Sequence, residues 1–149
     1  MRRSSGRIAA ERASTLATEL RVVLGKLKRR MREHANKGEL SLSQMAVLGY
    51  LDREGASTVT TLARAEGVRP QSMGATVAAL EEAGLVGGAP DPADGRQILL
   101  SLTAAGRSWL AASRAARDDW FSGAIRAQLN PGEQEELARA AGLLRRLVD

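Results

Sequence analysis

Arg69, Gln71, Ser72 and Thr76 fall close together, and Arg96 stands in a Pro/Asp/Gly-rich loop further along the chain. These are hydrogen-bonding groups that suit the reading of a polar surface. An amide such as Gln71 can pair bidentately with adenine, and a guanidinium such as Arg69 can read guanine or hold a phosphate. Ser72 and Thr76 suit contacts to a nucleic-acid backbone, and Ala75 can meet a thymine methyl. A narrow A·T-rich minor groove attracts arginine, which suits Arg96. Each has a plainer alternative. Gln71 can be a solvent-exposed amide, and Arg96 can be held by Asp94 in a salt bridge that only stiffens the loop.

The elements that must position these residues are legible in residues 58–102. Thr58 or Thr60 can cap a short helix with Leu62 and Ala63 facing inward. Gly67 supplies a left-handed turn, and Val68 is expected to tuck back into the core. Pro70 opens a second helix over 70–83. Its Met73, Val77 and Leu80 share one face, which leaves the polar residues outward. Gly84 ends it. Leu85–Val86 and 98–102 read as strands. The loop between them, Gly87 to Gln97, reads as a wing with a mobile tip. This order spells a winged helix-turn-helix: a mainly α fold with a small β-wing.

Upstream, residues 1–7 read as a flexible basic arm. Leu16, Leu20, Val23, Leu24, Leu27 and Met31 then form one apolar stripe on a helix of about 25 residues. Such a stripe needs a partner surface, and a second subunit is a natural supplier. Gly38 is the expected end of that helix. Leu40 to Met45 carries a capping signature on Ser41 and Gln44, and the helix it starts is expected to bury Met45, Leu48 and Leu51. Downstream, Thr103 caps a helix bearing Trp109, Leu110, Trp120, Phe121, Ile125 and Leu129. Asn130, Pro131 and Glu133 restart the chain as a last helix. The organisation expected is therefore 1–39 as arm and first dimerisation helix, 40–102 as the DNA-binding module, and 103–149 as C-terminal dimerisation helices.

The charge distribution is uneven. The net charge is +5 over 149 residues. Residues 1–39 hold 11 basic against 4 acidic side chains, residues 40–102 hold 4 against 7, and residues 103–149 hold 7 against 6. The candidate reading module is thus acidic, and the positive charge lies upstream, notably in Arg21, Lys26, Lys28, Arg29, Arg30 and Arg32. That run is either a solvated helix face or a phosphate-contacting surface.

The same composition narrows the function classes. There is no cysteine, which excludes disulfides and thiolate metal sites. A single histidine, His34, does not make a metal cage within one chain, so no metal or cofactor is expected. No apolar run spans a bilayer, and the basic start lacks a signal-peptide core, so a cytoplasmic location is expected. No nucleophile–base pair, clustered acids or phosphate-cradling glycine loop points to an enzyme; the glycines of 84–88 lack that spacing.

Between Leu40 and Arg107 the chain resembles the multiple-antibiotic-resistance regulator (MarR) family of winged-helix proteins. The resemblance rests on Leu40-Ser41 through Gln44 to Val47-Leu48, Thr61-Leu62-Ala63, Leu80-Glu81 with Gly84-Leu85-Val86, Asp91-Pro92 with Asp94 and Arg96, and Leu102-Thr103 with Gly106. It implies a homodimer through the first, fifth and sixth helices. It also implies a recognition helix in the major groove of double-stranded DNA, wings reaching the minor groove, and release by a small aromatic or phenolic effector. The elements that the family places near its effector pocket carry His34, Met45, Tyr50 and Trp109. The plain readings are a surface histidine for His34 and ordinary core for Trp109. The chain departs from many members at Gly74-Ala75 (where they have Thr-Arg), at Gly87-Gly88 (basic) and at Gly95 (a second arginine). Each departure removes a DNA contact, so weaker and more salt-sensitive binding is expected, or compensation from Arg2, Arg3, Arg7 or the 26–32 cluster. The function expected is a sequence-specific regulator, a repressor, acting on a pseudo-palindromic operator. The rivals are a winged-helix adaptor for protein partners and a non-specific DNA binder.

Overall fold

The computed structural model describes residues 2–36 and 39–149, with side chains from Gly6 to Ala35 and from Glu39 onward. Gly38, and the side chains of Arg2 and Arg3, lie outside the described residues. The chain forms two compact units. The central unit is Asn36–Ala116; the terminal unit joins the chain up to Ala35 with Arg117–Asp149.

The terminal unit contains most of helix α1 (Arg2–Asn36), the second half of α5 (Ala104–Gln128) and α6 (Pro131–Arg145). Helix α1 starts at Arg2, so residues 2–7 are its first turns rather than a separate arm. Only Gly6 in that stretch opposes helix, at about 1 kcal/mol, and Arg7 pairs with Glu11 one turn on. The predicted stripe is only partly covered: Leu20, Leu27 and Met31 are half-buried, Leu16 and Val23 are each 53% exposed, and Leu143 on α6 is 59% exposed. Helix α6 begins with the predicted reciprocal cap. Asn130 Oδ1 accepts from the Glu133 amide at 3.0 Å, and the Asn130 amide donates to Glu133 Oε2 at 2.9 Å.

The central unit is built from α2 (Leu42–Glu54), α3 (Val59–Glu66), α4 (Pro70–Glu82), β1 (Val86–Pro90), β2 (Ile98–Leu102) and the first half of α5. This unit runs to Ala116, and Leu110 and Ser113 of α5 are buried in it. The Arg114 guanidinium also donates to Asp52 on α2. The core holds Val47, Leu48, Leu51, Leu62, Ala63, Met73, Val77, Leu80, Val86, Leu100 and Leu110.

Helix α2 starts with the Ser41–Gln44 box: Ser41 Oγ accepts from the Gln44 amide at 3.1 Å, and Gln44 Oε1 accepts from the Ser41 amide at 2.8 Å. Met45 is only half-buried, and Val47 takes the inward place. At 3.6 residues per turn, Val47, Leu48 and Leu51 share one arc and Met45 lies on its flank. Thr58 caps α3, accepting from the Thr61 amide at 3.2 Å. Gly67 (φ 66°) turns the chain, with the Val68 amide bonded to the Ala63 carbonyl at 3.0 Å. Val68 itself remains 43% exposed, against expectation. In this turn the residue after glycine normally covers the side chain five residues back, and here that is the single methyl of Ala63.

Strands β1 and β2 pair antiparallel, Val86 with Leu102 through Pro90 with Ile98. Ser57 adds one bridge to Leu100. The sheet takes in Gly87–Pro90, which the composition marked as loop. The apolar run of β2 supplies the pairing partner, and the glycines let it come close: a Cβ on Gly88 would lie 2.8 Å from Ile98 Cγ2. Pro90, which lacks an N–H, sits at the strand's end where none is needed.

Candidate nucleic-acid interface

Helix α4 carries most of the polar residues that the sequence marks for DNA reading. Arg69 precedes it with extended backbone, Pro70 occupies its first turn, and Met73, Val77 and Leu80 anchor it. Arg69, Gln71, Ser72 and Ala75 are exposed on it, whereas Thr76 is half-buried. The Thr76 hydroxyl donates to the Ser72 carbonyl at 3.2 Å, so its donor is turned to its own helix. Beyond Gln71 and Ser72 the exposed surface is small, with Ala75, Ala78 and Ala79, until Glu81 and Glu82 add negative charge at the end.

In the loop 91–97 Arg96 forms the expected ion pair with Asp94. Its side chain is 92% exposed. Its Nε donates to Asp94 Oδ1 at 3.1 Å and its Nη2 to Oδ2 at 3.5 Å. Asp94 Oδ1 also accepts the Arg96 amide at 3.2 Å. The loop carries further hydrogen bonds, from the Asp91 amide to the Gln97 carbonyl and from the Gln97 amide to the Asp94 carbonyl, both at 2.9 Å. Asp94 engages only part of the guanidinium's donor set. Arg96, Gln97 and Ile98 face Thr58–Thr61 across an open cleft of about 470 Å³. Sequence reasoning missed this cleft, because it depends on the wing returning beside the start of α3.

The other singled-out residues divide between the units. Tyr50 and Trp109 pack partly buried against the central core, and Trp109 Nε1 donates to Glu39 Oε2 at 3.4 Å. Met45 is half-buried in the same unit. His34 belongs to the terminal unit, where its Nδ1 lies 2.8 Å from the Arg30 carbonyl. It stacks on Trp120 with centroids 4.9 Å apart, and Trp120 in turn stacks on Phe121. That aromatic row was not legible in sequence, since its members come from α1 and α5. Among the described residues no group of His, Cys, Asp or Glu could hold a metal ion. No helix among them is long and apolar enough to cross a membrane.

Comparison with known proteins agrees with this architecture. The MarR family model matches residues 39–97. An uncharacterized HTH-type transcriptional regulator of Mycobacterium bovis is 40% identical over 134 residues, covering 90% of this chain and 93% of its own. The crystal structure of a proposed transcriptional regulator from Pseudomonas aeruginosa superposes with a TM-score of 0.78 at 36% identity, covering 93% and 96% of the two chains. A MepR variant of S. aureus, solved bound to an oligodeoxyribonucleotide, shares the fold with a TM-score of 0.68 at 21% identity, covering 89% and 97%. The winged helix-turn-helix and these likenesses lead to one conclusion: the chain belongs to the MarR family, whose members are non-enzymatic, DNA-binding transcription factors.

Proposed function

We propose that the protein is a homodimeric, cytoplasmic repressor that recognises a pseudo-palindromic operator and leaves it when a small aromatic or phenolic molecule binds. The observation that carries the reading is the shared placement of two polar sets on one compact unit. Arg69, Gln71 and Ser72 stand exposed on α4, and Arg96 stands exposed on the wing. In this reading α4 enters the major groove, Gln71 and Arg69 read base edges, Ser72 meets the backbone, and Arg96 enters the minor groove. The oligonucleotide bound by the S. aureus relative supports this by analogy.

Dimerisation is supported by the bare apolar surface of the terminal unit. Leu16 and Leu20 of α1 and Leu143, Leu144 and Leu147 of the C-terminal segment line a groove of about 430 Å³. A large exposed apolar patch on a soluble chain marks an association surface. Two copies would place half-sites about 34–36 Å apart. For the effector, Tyr50, Trp109 and Met45 of the central unit offer aromatic and apolar contact.

The test is equilibrium binding to duplex from the gene's own upstream region and to a shuffled duplex, at two salt concentrations. A preference of about 10³-fold or more supports the reading. Equal affinity for both would replace it with salt-driven binding through the basic face of α1, where Lys26, Lys28, Arg29 and Arg30 are exposed. The excess of acid over base in residues 40–102 favours a second reading, a protein-docking head; binding to neither duplex would favour it.

A further inference from the structure

The corner where α4 gives way to β1 is tied to the start of α5 by Thr103, through its hydroxyl and its backbone amide. The Thr103 hydroxyl donates to the Gly84 carbonyl at 2.6 Å and accepts from the Gly106 amide at 3.0 Å. The Thr103 amide donates to the Leu85 carbonyl at 3.1 Å. Beside it the two backbones touch: a Cβ on Gly106 would lie 2.1 Å from the Leu85 carbonyl oxygen. Gly84 itself holds the left-handed conformation (φ 73°) that ends α4.

The other forces on α4 differ in kind. Met73, Val77 and Leu80 hold it by apolar burial, which is non-directional and scales with area. Such contacts tolerate a small slide or rotation of a helix. A hydrogen bond weakens steeply with distance and angle, so it fixes a point. Thr103 fixes that point at the C-terminal end of α4, between the base of the wing and the first turn of α5.

We infer that Thr103 is a positioning residue for base reading. It sets where α4 lies along its own axis relative to the wing, so that Gln71 and Arg69 reach base edges while Arg96 reaches its groove. This rests on the proposed DNA-reading role of α4. Loss of the tie harms discrimination more than attraction. Phosphate attraction acts over a Debye length of about 8–10 Å and ignores a shift of a fraction of an ångström, whereas base-edge hydrogen bonds fail over that shift.

The experiment compares Thr103→Val, which keeps the shape and removes the hydroxyl, with Thr103→Ser, which keeps the hydroxyl. A duplex is first enriched from a randomised pool by the wild-type protein, and a shuffled duplex of the same composition serves as control. Both variants are confirmed folded at the assay temperature by denaturant titration. Thr103→Val is expected to bind the enriched duplex about tenfold more weakly, the size of one imperfect base contact, with shuffled-duplex affinity unchanged. Faster exchange of the Gly106 amide proton should accompany it, and Thr103→Ser should restore both. Unchanged discrimination in Thr103→Val overturns the inference. So does an equal loss on both duplexes, or a serine variant as impaired as the valine. Failure of the wild-type protein to enrich any sequence removes the DNA-reading role itself, and the positioning role with it.

Discussion

Replacing Arg96 by alanine separates a wing that touches DNA from a wing that is merely stiff. The side chain is 92% exposed, and its partner Asp94 is 35% exposed. An exposed ion pair contributes about 0–1 kcal/mol. Asp94 keeps its bond to the Arg96 amide in the variant, since that bond needs only backbone. The bonds joining Asp91, Asp94 and Gln97 through the loop backbone also survive. Arg96→Ala should therefore lower unfolding stability by less than about 1 kcal/mol. On DNA the loss is larger, about 1–3 kcal/mol for each good contact, and a twofold dimer loses it twice. Affinity for the enriched duplex should fall by more than about tenfold, since 1.4 kcal/mol suffices for that. The logarithmic salt dependence should flatten by about 0.9 for each phosphate-neutralising charge removed. Fluorescence anisotropy at two salt concentrations measures both, and denaturant titration measures stability. Binding within twofold of wild type at both salts, together with a measurable stability loss, would mean that Asp94 and Arg96 only brace the loop and that minor-groove entry is wrong.

Three further perturbations test the scaffold. Gly106→Ala forces a methyl against the Leu85 carbonyl oxygen at 2.1 Å, and the obstacle is backbone; it should cost about 3 kcal/mol, the upper end for overpacking, read from the denaturation midpoint. Gly74→Ala meets nothing within 4 Å in mid-helix, so it should stabilise by about 1 kcal/mol; a loss would show that α4 needs backbone access at this position. Leu143→Glu, at a site 59% exposed in the single chain, should leave the fold intact and halve the sedimenting mass; an unchanged mass would remove the α1–α6 groove from the dimer seam.

What sequence made legible was local. The boxes at Ser41–Gln44 and Asn130–Glu133 are set within four residues, and both form. The left-handed glycines 67 and 84 follow from helices that must stop sharply, and Met73, Val77 and Leu80 follow from helical period. What stayed hidden was decided by distant neighbours. Gly87–Pro90 becomes strand because β2 lies beside it. The first half of α5 joins the central unit through Arg114 and Asp52, 62 residues apart, and through Trp109 and Glu39, 70 apart. Single-sequence periodicity carries no record of such pairs. Of the proposed interface, the exposure of Arg69, Gln71, Ser72 and Ala75 was legible, whereas the turn of Thr76 to its own helix and the cleft between the wing and α3 were not.

Part of the acidic balance of residues 40–102 is placed where it bears on how the head would meet DNA. Glu81 and Glu82 sit exposed at the C-terminal end of α4, and Asp94 is already paired with Arg96. The N-terminal end of α4 carries no acidic residue in its first turn and has Arg69 before it. A helix N-terminus also bears partial positive charge. The charge along α4 therefore runs from positive near Arg69 to negative near Glu82, and a sum over the whole module averages this gradient away. A head with this polarity would approach phosphate with the start of α4 and keep its end away. Orientation would then come from the gradient along one helix, and the net charge of the module would set only the strength and salt dependence of the encounter.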